Sequence, residues 1–150
     1  MSALNLYCQM NDDERAEQAL NIINKDDPTD QDIEFIHHVW TGNYLKKGNP
    51  FFHHPALSIY SWAVLAFISE NNLKFMSDDD LDAFNQLPEK VTVYRGGSAC
   101  GFSWSLSYEV AKSFGEVFTA TVNKGDILAY INDREEFEII PAYSIEGVTA

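Results

Sequence analysis

Three short segments in the second half of the chain place polar residues where apolar runs end. Tyr94-Arg95-Gly96 sets an arginine at the close of a β-branched run, beside a glycine pair. Phe102-Ser103-Trp104-Ser105 sets two serines on either side of a tryptophan. Within Arg134-Glu135-Glu136-Phe137-Glu138-Ile139-Ile140-Pro141, Glu136 and Glu138 are two residues apart, so on a strand both would point to one face. Like charges on one face repel, and stability alone rarely asks for that arrangement. A site that handles a cationic group or sugar hydroxyls can use it. Arginine offers a planar fork of donors to a phosphate, and serine offers a small hydroxyl that orients a sugar or the arginine. One carboxylate can hydrogen-bond a ribose hydroxyl and stabilise positive charge on the sugar; a second can take a proton from an attacking nucleophile. Each motif alone also has a bland reading. An arginine at a strand end is usually a surface residue, and Glu-x-Glu is most often a solvated strand face.

The elements that would position these residues can be read from hydrophobic spacing. After Pro88, Val91 to Arg95 reads as a strand stopped by Gly96-Gly97. Phe102 to Ser105 reads as a second short strand and Ser107 to Phe114 as a helix with Ser107 as N-cap. Val117 to Val122, Ile127 to Ile131 and Phe137 to Ile140 read as strands, with a turn at Asn123-Lys124-Gly125-Asp126 and one more strand within Ala142 to Val148. Residues 1–90 read as helical. Asp12-Asp13-Glu14 suits a helix start, with Ala16, Ala19, Leu20 and Ile23 on one face. Asp27-Pro28-Thr29 breaks that helix, and Thr29 or Asp30 caps the next, whose apolar face is Ile33, Ile36, His37, Trp40 and Tyr44. Gly48-Asn49-Pro50 ends it. Pro55 to Glu70 is the most hydrophobic helix, with Tyr60-Ser61-Trp62 most simply core. Ser77 caps a short helix through Phe84, with Asp78, Asp79 and Asp80 in its first turn. Helices first and strands later predict a single α+β domain over residues 1–150, with a largely antiparallel sheet.

Composition narrows the function. The chain has 150 residues, 10 basic and 23 acidic, a net charge of −13 and a pI near 4.4. Its 45% hydrophobic content supports a real core. So acidic a chain is not expected to bind nucleic acid directly, or an anionic membrane surface. The longest apolar region, Leu57 to Ile68, spans about 12 residues, short of the roughly 20 that cross a bilayer. Met1-Ser2-Ala3-Leu4-Asn5 has neither a basic stretch nor an apolar signal core, so the expected location is the cytoplasm. Cys8 and Cys100 form no C-x-x-C pair. Residues 1–90 hold 6 basic and 15 acidic side chains, a net of −9, and residues 91–150 hold 4 and 8, a net of −4. No metal site is expected: adjacent histidines such as His37-His38 and His53-His54 diverge on a helix, and no carboxylate at a matching offset completes a zinc set. Gly96 to Gly101 lacks a P-loop lysine, and Gly97 and Gly101 read as turn formers.

The order Arg, then Ser-x-Ser, then Glu-x-Glu resembles the Arg-Ser-Glu class of mono-ADP-ribosyltransferases. Val93-Tyr94-Arg95-Gly96 is similar to that family's first motif strand. Phe102 to Ser107, followed by Glu109-Val110-Ala111 and Phe114, is similar to its serine strand and following helix. Asp126 to Tyr130 and Glu136 to Pro141 are similar to its closing strands, and the version with tryptophan between the serines resembles small proteins of bacteria and their phages. About residues 91 to 141 carry the likeness. It implies a split β-sandwich preceded by helices, with NAD as co-substrate and a protein side chain, an arginine on the strength of Glu136, as acceptor. Carried over position by position, Arg95 contacts the NAD phosphates and ribose, and the Gly96 backbone clamps the nicotinamide carboxamide. Ser103 positions the nicotinamide ribose and the catalytic glutamate, with Ser105 in a role that Trp104 puts in doubt. Phe114 packs on nicotinamide unless it is helix core with Val110 and Ala111. Glu138 is the catalytic carboxylate and Glu136 orients or deprotonates the acceptor. The implied setting is an effector, toxin or anti-defence protein, in the host cytoplasm if phage-encoded, and the acidic charge of the helical region points to a basic host protein as its target. A catalytically silent acidic inhibitor of a basic or nucleic-acid-binding host protein, and an NAD glycohydrolase, are the alternatives. The acidic cluster Asp78-Asp79-Asp80 is read either as recruiting the basic partner or as plain solubility.

Overall fold

The computed structural model describes residues 2–41 and 61–150. Backbone contacts divide the chain into two compact units, Met1–Phe75 and Met76–Ala150. The first is helical and the second carries the sheet, so the chain is of the α+β class.

In the first unit, α1 spans Ala3–Gln9, α2 Asp12–Ile23, α3 Asp30–Thr41, α4 Ser61–Glu70 and α5 Asn72–Phe75. Caps fix the starts. The Asn11 side chain accepts from the Glu14 amide at 2.9 Å while the Glu14 carboxylate accepts from the Asn11 amide at 3.0 Å, satisfying two orphan donors of α2 reciprocally. Thr29 and Asp32 do the same for α3, at 3.1 and 2.9 Å, which selects Thr29 over Asp30 as its cap. The core gathers Tyr7, Ala19, Ile22, Ile33, Phe35, Ile36, Val39 and Ile68. His37 is buried with Nδ1 2.7 Å from the Phe75 carbonyl oxygen, a packing role. Of the helix expected over Pro55 to Glu70, Ser61–Glu70 forms and buries Val64, Leu65, Phe67 and Ile68; Pro55 to Tyr60, like Tyr44, Gly48 to Pro50 and His53-His54, lies outside the described residues. The core assignment of Trp62 is corrected. It is 70% exposed, because at 100° per residue it falls on the face of α4 opposite the four buried positions.

In the second unit, α6 (Asp78–Asn85) precedes β1 (Lys90–Gly96), β2 (Cys100–Gly101), β3 (Trp104–Ser105), α7 (Tyr108–Lys112), β4 (Val117–Asn123), β5 (Ile127–Ile131), β6 (Glu138–Pro141), β7 (Ile145–Glu146) and β8 (Val148–Thr149). The order β5-β6-β3-β1-β4-β8 makes one sheet and β2-β7 a second, with every recorded pair antiparallel. The longest ladder joins β1 to β4 from Lys90↔Asn123 to Gly96↔Val117, and its alternation buries Val91 and Val93 on one face. Expected boundaries shift in the site segments. The Phe102 strand shrinks to Trp104–Ser105, the Phe137 strand starts at Glu138, the Ser107 helix ends at Lys112, and the last strand breaks into β7 and β8 on different sheets. The turn at Asn123 to Asp126 is a single 3-10 turn over Lys124–Asp126. Helix α6 rests on β5 and so belongs with the sheet. No helix among the described residues is long and apolar enough to cross a membrane.

Candidate functional site

Strands β1, β3 and β6 lie side by side, with Tyr94 opposite Ser105 and Ser105 opposite Glu138. Residues directly opposite share a face, so Glu138 is set on the side of the sheet that Tyr94 and Ser105 occupy. Ser103, just before β3, ties the two charged residues together without their touching. Its hydroxyl donates to Glu138 Oε2 at 2.6 Å, and its carbonyl accepts from Arg95 Nη1 at 2.7 Å. The guanidinium also lies against Gly101, where an added Cβ would come within 2.4 Å of Arg95 Cζ. A side chain at Gly101 would have to displace the guanidinium, whereas at Gly97 the φ of 85° itself needs glycine. Burial lowers the Arg95 pKa from its ordinary value, opposed by Cys100 and Glu138. Arg95 Nε is buried without a hydrogen-bond partner, a donor unspent inside the protein.

The two carboxylates do not share a strand face, which corrects the expectation from their spacing. Strand β6 begins at Glu138. Glu135 and Phe137 have φ of 56° and 50°, and left-handed residues break the two-residue alternation. Glu136 sits instead on the connecting loop, its Oε1 3.8 Å from Arg134 Nε. Ser105 holds that loop: its buried hydroxyl donates to the Glu136 carbonyl at 2.7 Å and accepts the Ser107 amide at 2.9 Å. Ser105 is thus committed to locating Glu136 and the start of α7. Trp104, between the serines, is buried, donates Nε1 to the Gly101 carbonyl at 2.9 Å and abuts Gly147; strand alternation turns it to the face opposite Ser105.

Gly96 is pressed against α7, where a Cβ would fall 1.7 Å from the Ala111 carbonyl oxygen and 3.1 Å from Phe114 Cβ. Phe114 itself is 62% exposed. The helix-core alternative for Phe114 is corrected, because α7 stops at Lys112 and only Ala111 of the expected trio is buried. An exposed aromatic thus stands beside the Gly96-Gly97 edge.

Two residues that hold the site were missed in the sequence. Asp80 is 6% exposed while Asp78 and Asp79 are exposed, so the three do not form one surface cluster; Asp80 lies on the sheet-facing side of α6. It accepts the Asn132 amide at 3.4 Å. Asn132 in turn accepts the Phe137 amide on its side chain at 3.0 Å and the Glu135 amide on its carbonyl at 3.1 Å. This brace shapes the loop that carries Glu136. The available signal was Asp80 falling one turn before Phe84 on α6. Asp80→Ala is expected to cost about 1–3 kcal/mol by leaving a donor unsatisfied, and Asp80→Asn, which keeps an acceptor oxygen, to cost less. Urea unfolding of both variants checks this; equal losses would mean that the acceptor is not what matters.

No family model, curated protein or solved structure matches the chain.

Proposed function

We propose that the chain is an NAD-dependent mono-ADP-ribosyltransferase that modifies an arginine on a basic host protein and releases nicotinamide, working as an effector, toxin or anti-defence protein of bacterial or phage origin. The observation that carries this reading is Ser103, bonded through its hydroxyl to Glu138 and through its carbonyl to Arg95. It unites the three residue types of the motif, far apart in sequence, within one hydrogen-bonded group. The pair of sheets, with the two-stranded one meeting Arg95 at Gly101, suits a split β-sandwich with a cleft at Arg95.

The residues fit the co-substrate. Arg95 keeps a buried donor, Nε, without a protein partner, suited to a phosphate oxygen. The Gly96-Gly97 edge gives backbone access, and the exposed Phe114 ring gives a face for nicotinamide. NAD, when bound, supplies the ribosyl group and nicotinamide as the leaving group. Glu138, held by Ser103, accepts the ribose 2′-hydroxyl proton in a hydrogen bond and faces the positive charge that grows at C1′ as the C1′–nitrogen bond breaks. Glu136 accepts the proton lost by the acceptor guanidinium as its nitrogen bonds to C1′.

Hydrolysis, with water as acceptor, is the second reading. It is favoured by the contact of Glu136 with Arg134, which engages the carboxylate that the transfer reaction needs. Incubation with NAD labelled on its adenosine, with and without a bacterial lysate, separates the two. Labelled protein bands, with ADP-ribose found on arginine by mass spectrometry, are expected. Free ADP-ribose with no labelled band means hydrolysis, and no nicotinamide release under either condition leaves the acidic-inhibitor reading.

A further inference from the structure

An open groove in the helical unit has a cavity volume of about 700 Å³. Its apolar part includes Trp62 and Leu73, which are 70% and 67% exposed. Ala66 and Phe67 continue it along α4. Exposed large side chains gathered at one concavity are the mark of a surface that receives something.

Charge says what it receives. Asp26, Asp27 and Glu70 line the groove, and none makes an ion pair among the described residues. The two lining lysines pair with carboxylates of α3, Lys25 with Asp32 at 2.9 Å and Lys74 with Asp30 at 2.7 Å, while Asp27 also favours the charged form of Lys74. The helix ends add to the imbalance. Helix α2 ends at Ile23 and α4 at Glu70, both beside the groove and both without a basic residue in the last turn. A helix C-terminus carries partial negative charge, so Glu70 there, with Asp26 and Asp27 just beyond α2, is an arrangement that intramolecular stability disfavours and a bound cation relieves. The face of Trp62 adds a cation–π surface.

We propose that this groove docks a basic segment of a partner protein, with a Lys or Arg side chain over Trp62 and among Asp26, Asp27 and Glu70, and an apolar side chain against Leu73 and Ala66. The proposal uses no residue of the Arg95, Ser103, Glu138 group and stands or falls apart from it.

The protein reports on the groove by itself. Of its three tryptophans, Trp40 and Trp104 are buried and Trp62 is exposed, so a change in exposed-tryptophan emission reads Trp62. The probe is a synthetic Lys-Leu-Lys-Lys-Leu-Lys peptide, compared with its Glu-Leu-Glu-Glu-Leu-Glu counterpart, in titrations followed by fluorescence and calorimetry. The basic peptide is expected to shift Trp62 emission to the blue and the acidic one to leave it unchanged. The combined variant Asp26→Asn, Asp27→Asn, Glu70→Gln is expected to weaken binding about tenfold, since each exposed charge pair contributes only a fraction of that. Asp78→Asn, Asp79→Asn, Asp82→Asn removes the same charge from exposed positions outside the groove and is expected to change affinity less than twofold. Absence of an emission shift at millimolar peptide overturns the proposal. So does an equal loss in both triple variants, which would mean that net charge alone attracts the peptide.

Discussion

Replacing Glu138 with glutamine is expected to lower nicotinamide release about 10³-fold, equivalent to ~4 kcal/mol of transition-state stabilisation. The substitution preserves shape. The glutamine carbonyl oxygen can still accept from the Ser103 hydroxyl, which now donates to Glu138 Oε2 at 2.6 Å, so the unfolding midpoint should hold. Only the negative charge that the proposed reaction would set against the ribose is lost. Ser103→Ala makes the complementary change, leaving the charge but removing one hydrogen bond that positions it, and about a tenfold loss is expected, the scale of one hydrogen bond. Chromatographic measurement of nicotinamide under saturating NAD tests both. Wild-type turnover in the Glu138→Gln protein would show that the site has been assigned to the wrong carboxylate.

The largest effect on stability is expected from one added methyl group, in Gly96→Ala. The new Cβ would lie 1.7 Å from the Ala111 carbonyl oxygen, which is backbone and cannot rotate away. Either β1 or α7 must shift, and β1 is held at seven positions to β4. Forced overpacking of this kind costs about 2–3 kcal/mol, or ~10–20 °C in melting midpoint if residues 76–150 unfold as a small cooperative unit. Gly125→Ala is the matched control: nothing lies within 4 Å of its added Cβ, so its effect should stay within about 0.5 kcal/mol. Circular-dichroism melts of the two variants decide, and a Gly96→Ala midpoint equal to the control's would mean that α7 is not packed on β1.

Much of this architecture is legible in the amino-acid sequence. Ile127–Ile131 and Val117–Asn123 stand out because they are rich in β-branched and aromatic residues, which favour strands, and Ser77 and Ser107 cap the helices they precede. The motif residues Arg95, Ser103 and Glu138 are legible as a set, and Ser103 does connect the other two. What the spacing misplaces is Glu136. A two-residue interval implies one face only if the backbone is extended, and nothing local announces the left-handed Glu135 and Phe137. Their amides bond to Asn132, and the loop is tied to distant residues as well, Ser105 at the Glu136 carbonyl and Asp80 at the Asn132 amide. Trp62 misleads for a related reason. Tryptophan in an apolar run reads as core, and only its position against Val64, Leu65, Phe67 and Ile68 puts it outside. Asp80 is hidden by its neighbours, since three aspartates in a helix's first turn read as one solvated, dipole-favoured cluster.

Strand β3 sits at the middle of the larger sheet, yet it is two residues long and meets β1 at a single recorded pair, Tyr94↔Ser105. In mechanical terms the sheet has a seam. On one side lie β5 and β6 with the carboxylate, on the other β1, β4 and β8 with the guanidinium. The backbone pairing that joins the two sides through β3 is short, one residue pair to β1 and two to β6. Ser103 lies at that seam with one bond to each side. One serine therefore joins the strand that carries the positive charge to the strand that carries the negative one, where the pairing between them is shortest.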